Sequence, residues 1–162
     1  QVDPKSRVDL GKSYIAMAVR HGDPKPDIST MEAFKQTLID AKSIAYSDSA
    51  SGVYLSRVLF NQMHIADRIQ SKSRMIPAEP VGEVVARGEA QLGFQQLSEL
   101  KPVAGIDIIG LIPEQAQQMT LYSGGVSARS AHPEQARELL QYLGSQAAAN
   151  AIKTSGLDPV AK

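Results

Sequence analysis

Three serines and a glycine fall within Ser47-Asp48-Ser49-Ala50-Ser51-Gly52. This run follows the apolar stretch Ile44-Ala45-Tyr46 and precedes Val53-Tyr54-Leu55-Ser56-Arg57-Val58-Leu59-Phe60, in which Val53, Leu55, Val58 and Leu59 are available for burial on one helical face. The pattern predicts a strand, a tight turn and an amphipathic helix. A helix opened by such a turn offers backbone N–H groups and the positive end of its dipole, the physical basis for holding an anion. Ser47, Ser49, Ser51 and Gly52 are therefore candidate ligand residues. Helix capping alone is the alternative, though it uses only one or two of the hydroxyls. A second pair of candidates, Gln95 and Gln96, closes the apolar run from Ala90. They are either exposed filler or amide donors and acceptors at a cleft, since ligands of α/β sheets sit beyond the carboxyl ends of strands.

Other chemistries find little support. The chain has no cysteine, which removes thiol nucleophiles, disulfides and thiolate metal sites. Neither Gly-x-Ser-x-Gly nor a phosphate-loop Gly-x4-Gly-Lys is present. His64 fits a helix C-terminus and His132 the flank of a helix start, and no second histidine lies at metal-ligand spacing. Glu83, Glu89, Glu99 and Asp107 form no evident acid–base pair. A serine hydrolase built on Ser49 or Ser51 requires His21 or His132 within hydrogen-bond reach. The expectation is a protein that is not an enzyme, with no catalytic residue, metal or cofactor. The 17 basic and 17 acidic residues cancel and are interspersed, which argues against a nucleic-acid partner. No apolar run reaches the roughly 20 residues needed to span a bilayer.

Several elements position the candidates. Residues 1 to 12 read as loop, followed by a doubly buried strand at Tyr14 to Val19. Arg20 to Asp27, with two prolines and a glycine, breaks regular structure and marks a lobe boundary. A helix from Met31 to Asp40, capped by Ser29 or Thr30, precedes the serine turn. Beyond it come a weak strand within residues 71 to 77, a helix from Glu79 to Arg87 ended by Gly88, the Ala90 to Gln96 strand, a helical turn at Leu97 to Lys101 and a strand at Ile106 to Gly110. Met119 to Ser123 begins a strand that resumes at Val126 to Ala128, and two helices, His132 to Leu143 and Ser145 to Lys153, complete the chain. This alternation predicts an α/β fold with a mixed, mainly parallel sheet flanked by helices.

Four segments carry a family resemblance: Pro24-Lys25-Pro26-Asp27-Ile28-Ser29-Thr30, Ile44 to Tyr54, Val84 to Gln96, and Ser155-Gly156-Leu157-Asp158-Pro159. In this order they resemble the bacterial extracellular solute-binding proteins of ABC importers, in particular the molybdate-binding type. The resemblance implies a two-lobe type II periplasmic receptor that clamps a small ligand and delivers it to an ABC permease. On that pattern residues 21 to 117 form the second lobe. Residues 1 to 20 and 118 to 162 supply hinge strands and C-terminal helices of an incomplete first lobe. The resemblance also implies oxyanion contacts from backbone N–H groups at Ser51 and around Ala78 to Val81, which adds Val81 to the candidates. Gln96 stands where molybdate binders carry a tyrosine.

The family pattern places further strands, helices and serines ahead of the point where this sequence starts. It therefore predicts a fragment with half a site, or domain exchange with a second copy of the chain. The expected function is capture of a small oxyanion or small polar solute in the periplasm or outside the cell. An effector-binding domain of a transcription regulator, or an interaction-only fragment, is the alternative.

Overall fold

A computed structural model describes residues 1–161. The chain divides into two compact units, residues 1–13 with 119–162 and residues 14–118.

The second of these is built on a five-stranded sheet in the order β4-β3-β5-β2-β6. Its elements in chain order are β2 (Ile15–Arg20), α1 (Met31–Asp40), β3 (Ile44–Ser47), α2 (Ala50–Tyr54), α3 (Phe60–Gln62), α4 (Ala66–Ile69), β4 (Ser73–Ile76), α5 (Val81–Ala86), β5 (Leu92–Gln96), α6 (Leu97–Leu100) and β6 (Ile106–Leu111). β3 pairs in parallel with both β4 and β5, whereas β2 runs antiparallel to β5 and β6. β2 is an interior strand, and its continuous apolar run is buried from Ile15 to Val19.

The two faces of this sheet carry different helices. Phe34 and Leu38 of α1, Leu55, Leu59 and Phe60 of the α2–α3 segment, and Ile65 and Ile69 pack with Ile44, Phe94 and Met17. On the other face Val81, Val84 and Val85 of α5 pack with Ala45 and Ile76. Gly93 is part of that second contact, because a Cβ there would stand 2.4 Å from Val85 Cγ2. Phe34 meets Phe94 edge-on with ring centroids 6.0 Å apart, which fixes α1 across the sheet.

Local chemistry sets the helix ends. Thr30 Oγ1 accepts the Ala33 N–H at 3.1 Å and caps α1. At its other end Lys72 Nζ donates to the Ile39 carbonyl and, at 2.6 Å, to that of Ala41, placing a cation on the negative end of the helix dipole. His64, at φ 56°, takes the left-handed conformation just beyond α3, and Gly88, at φ 76°, does the same after α5.

The helix after the serine turn differs from the regular one expected. Between α2 and α3 the chain makes a π-helical turn, Leu55–Leu59, closed by Phe60 N–H donating to Leu55 O. The wider turn puts Leu59 beneath Leu55, so both are buried while Val58 is left 41% exposed. Ser56 Oγ donates to Gly52 O at 2.8 Å, and Asn61 Nδ2 donates to Arg57 O at 3.0 Å, tying side chains into the altered ladder.

The other unit holds a three-stranded sheet in the order β7-β1-β8, built from β1 (Val8–Ser13), β7 (Thr120–Gly124) and β8 (Asp158–Pro159), with α7 (Pro133–Leu143) and α8 (Gln146–Thr154). The loop expected over residues 1 to 12 is therefore corrected: Val8–Ser13 is a strand, paired on both sides. Its local sequence, with Asp9, Gly11 and Lys12, carries little strand propensity, and the ladders to β7 and β8 supply what propensity lacks. At Gly124 a Cβ would lie 2.4 Å from Leu140 Cδ2, so a side chain there requires the end of Leu140 to turn aside.

Candidate functional site

β4, β3 and β5 are parallel and end at Ile76, Ser47 and Gln96. Three connections leave that edge: the serine turn, the loop Pro77 to Pro80 into α5, and α6. The loop includes Ala78 at φ 60°, a conformation that costs a β-carbon residue energy and that the surrounding turn must impose.

The serines form one hydrogen-bonded chain. Ser47 Oγ lies 2.6 Å from Ser49 Oγ and 3.1 Å from Ser51 Oγ. Ser47 and Ser51 are buried, at 3% and 2% exposure, while Ser49 faces solvent. Ser49 occupies the N-cap position of α2, but its side chain caps no backbone N–H there. Plain capping, the alternative left open by the sequence, is thus not what this hydroxyl does. Three hydroxyls carry three protons and two internal bonds use two of them, so one proton remains to be donated. An acceptor placed at Ser49 orders the chain as Ser51 to Ser47 to Ser49 to ligand, each bond polarising the next. Asp48 in the same turn is exposed, where solvent and salt screen its charge.

Gly52 makes this geometry possible. A Cβ at that position would stand 1.6 Å from the Ser47 carbonyl oxygen, so the first turn of α2 rests directly on the end of β3.

Gln95 and Val81 form a second pair. Val81 N–H donates to Gln95 Oε1 at 3.1 Å, so the side chain of β5 caps the first turn of α5. The register of β3 and β5 matches Tyr46 with Phe94, and continued by one residue it sets Ser47 beside Gln95. Gln96 is not brought to the same place. It points to the Phe94 face of the sheet and is buried at 4% exposure.

Two further ties went unread in the sequence. Gln117 pairs with the backbone of Ile15 as a strand would, accepting its N–H through Oε1 at 2.8 Å and donating Nε2 to its carbonyl at 3.0 Å. Tyr54 donates its hydroxyl to Ala116 O at 2.8 Å, and burial raises the pKa of the phenol above its ordinary value. Neither has a local sequence signature, because each partner is brought in by the fold. His21 is engaged elsewhere: its Nδ1 lies 2.8 Å from Asp107 Oδ1, at the end of the sheet where Arg20 pairs with Ile106. That end is opposite to Ser47, so His21 forms no dyad with Ser49 or Ser51.

The sequence profile of the family described as bacterial extracellular solute-binding proteins matches residues 1–158. The chain belongs to this family. Solved structures with the same fold include a chain described as the substrate-binding domain of a molybdenum ABC transporter from Clostridium difficile, at 19% identity and TM-score 0.73, over 98% of this chain and 69% of that one. A periplasmic thiamin-binding protein matches at 17% identity and TM-score 0.67, over 99% of this chain and 55% of its own. These likenesses establish the type II periplasmic-binding-protein fold, an α/β architecture with helices flanking mixed sheets. Among curated proteins, an aconitate isomerase from Pseudomonas sp is 71% identical over 160 residues. The chain spans 61% of the length of that relative.

This last finding overturns the expectation of a protein with no enzymatic character, because a relative of that identity is named as an enzyme. The ligand-holding turn of a solute-binding scaffold shows neither a histidine nor paired carboxylates whether or not the protein is an enzyme, because fold does not fix function.

Proposed function

We propose that this chain provides the ligand-holding lobe of a protein that binds an aconitate-like polycarboxylate and interconverts its double-bond isomers. The observation that carries the reading is the 71% identity to the Pseudomonas aconitate isomerase, over a 160-residue alignment spanning 99% of the chain. The site chemistry supports it. Aconitate bears three carboxylates, which when ionised only accept hydrogen bonds, and the strand-end edge offers the donating Ser49 hydroxyl and the Gln95 amide. Neutral directed donors and backbone dipoles hold such a group without a buried cation. The direct N–H contact expected of Val81 passes to Gln95, which already occupies that N–H.

Moving the double bond of aconitate requires a proton to leave the methylene carbon and one to return at the former vinylic carbon, with no net change in composition. Negative charge builds on the adjoining carboxylate as the first proton leaves. Preorganised donors aimed at that carboxylate stabilise the charge, and this is the role assigned to the Ser47–Ser49–Ser51 chain and to Gln95. The serines and Gln95 hold and polarise, and the proton passes to a general base of the protein other than these residues, which as its conjugate acid returns a proton to the former vinylic carbon. In this reading the unit of residues 14–118, which holds β2 and not only residues 21 to 117, is the second lobe, the remaining segments belong to the first, and the protein works in the periplasm or outside the cell.

The test is proton NMR of trans-aconitate incubated with the protein that carries this sequence. Resonances of the cis isomer are expected to grow with time, and to grow more slowly by about tenfold or more with Ser47→Ala. Saturable binding without interconversion would instead support a second reading, favoured by the family match: capture of the anion and delivery to an ABC permease. Competition by molybdate or sulfate at equal concentration would move the ligand towards a small inorganic oxyanion.

A further inference from the structure

The amide of Gln95 can face a ligand in only one way. A backbone N–H donates and never accepts, so the side-chain atom 3.1 Å from Val81 N must be the carbonyl oxygen Oε1. The amide nitrogen Nε2 then lies on the other branch of the planar group, with both of its protons directed away from Val81. A free glutamine turns either atom towards its partner and is indifferent to whether that partner donates or accepts. Gln95 has lost this freedom, because turning over would set Nε2 against the Val81 N–H, two donors face to face at the head of α5. Val81 is itself immobile, fully buried against Val84, Val85 and Ala45, and Gly93, two residues before Gln95 on the same face, packs against Val81 and Val85.

We infer that Gln95 is a specificity-determining residue of the polycarboxylate site, locked by Val81 as a hydrogen-bond donor so that the site favours an ionised carboxylate and rejects groups that only donate. The inference rests on the polycarboxylate reading above and adds to it the residue that reads the charge state of the ligand. Ser49, just beyond the end of β3, the strand beside β5, donates to the same acceptor when a carboxylate orders the hydroxyl chain outward. An ammonium group, which has no acceptor atom, meets donor with donor at Gln95 and is discriminated against in the way typical of buried polar sites, whereas an amide or a protonated acid is confined to its carbonyl oxygen and lacks the charge that strengthens the bond to a carboxylate.

The substitution Gln95→Glu separates this role from simple capping. A carboxylate at position 95 still accepts the Val81 N–H, and a negative charge at a helix start is favourable, so the cap and the fold are retained. The branch facing the ligand, however, changes from donor to anion. Binding of trans-aconitate, measured by calorimetry on the protein that carries this sequence, is expected to weaken by about a hundredfold at pH 8 through like-charge opposition. On lowering the pH, the variant carboxyl, pushed up by the neighbouring ligand charge, takes a proton and becomes a donor again. The ratio of wild-type to Gln95→Glu affinity should then fall to within about threefold near pH 5. Gln95→Met, which has neither atom, should bind weakly at both pH values with a constant ratio to wild type. Equal affinity of wild type and Gln95→Glu at pH 8, with unchanged urea midpoints, would reduce Gln95 to a cap and overturn the inference while leaving the polycarboxylate reading intact. Failure of the wild type to bind trans-aconitate at any pH would overturn that reading and the inference with it.

Discussion

Gly52 and Ser47 are the residues on which the candidate site turns. With the Ser47 carbonyl oxygen 1.6 Å from the place a Cβ would take at residue 52, Gly52→Ala must push α2 off the end of β3. Overpacking of this kind against rigid backbone predicts a loss of about 3 kcal/mol, read as a lowered urea midpoint at unchanged slope. Ser47→Ala is a milder change, since the methyl group fits where the side chain already packs. It leaves the buried Ser51 hydroxyl without the Ser47 oxygen it pairs with, at a cost of about 1–3 kcal/mol. The types of these residues were legible in the sequence, because small hydroxyl residues after an apolar run announce a turn before a helix. Their division of labour was not. Nothing local distinguishes Ser49, which caps nothing, from an ordinary N-cap, and nothing local shows that Gln95 and Gln96 point to opposite faces until β5 is placed in its sheet.

At the scale of the element, α1 shows what sequence patterning conveys well. Its bounds, Met31–Asp40, follow from periodicity, and capping chemistry narrows the cap to Ser29 or Thr30, of which the fold uses Thr30. Thr30→Ala should cost about 1 kcal/mol. The other end of α1 depends on Lys72, some thirty residues away, and Lys72→Met should cost about 1.5 kcal/mol through loss of a charged donor to two helix carbonyls. The π turn at Leu55–Leu59 and the strand Val8–Ser13 were not legible, for a common reason. Each is a local conformation selected by partners distant in sequence, against a pattern that reads as regular helix in one case and as loop in the other.

Acid sensitivity is a property of elements too. Asp107 at the start of β6 is held below its ordinary value of 3.8 by its hydrogen bond to His21, then by the Gly22 N–H. Asp27 ahead of α1 is held down by the Ser29 hydroxyl and then the Ser29 N–H. In each case the folded pKa lies below the unfolded one, so the unfolded chain binds more protons in acid. The stabilisation is fully present above the ordinary value and is lost as pH falls through and below it. Amide exchange of residues 20 to 30 should therefore accelerate as pH drops below about 4, relative to the intrinsic rate, and Asp107→Asn should flatten that dependence.

The whole molecule divides unevenly. The large buried clusters, with Phe34, Leu38, Phe94 and Val85 among their members, all belong to residues 14–118. In the other unit the buried apolar residues are Val126, Ala148 and Ala149 among those described, and α7 buries none of its residues, leaving Leu139 and Tyr142 more than half exposed. A polypeptide of residues 14–118 should accordingly fold by itself with a single cooperative transition, checked by coincident circular-dichroism and fluorescence curves in urea. The mixed α/β class was readable from the alternation of strands and helices, whereas the enzymatic character of the close relative was not. A scaffold that captures solutes and one that converts them share the same turns.

In the function proposed above, the carboxyl-end edge of β4, β3 and β5 holds an aconitate-like anion. The direct measurement is a nitrogen-15 chemical-shift titration of this chain with trans-aconitate. Saturable shifts are expected, concentrated at Ser47 to Gly52, Ala78 to Val81 and the Gln95 side-chain amide. Saturable shifts centred elsewhere, or a spectrum unchanged by the ligand, would contradict it.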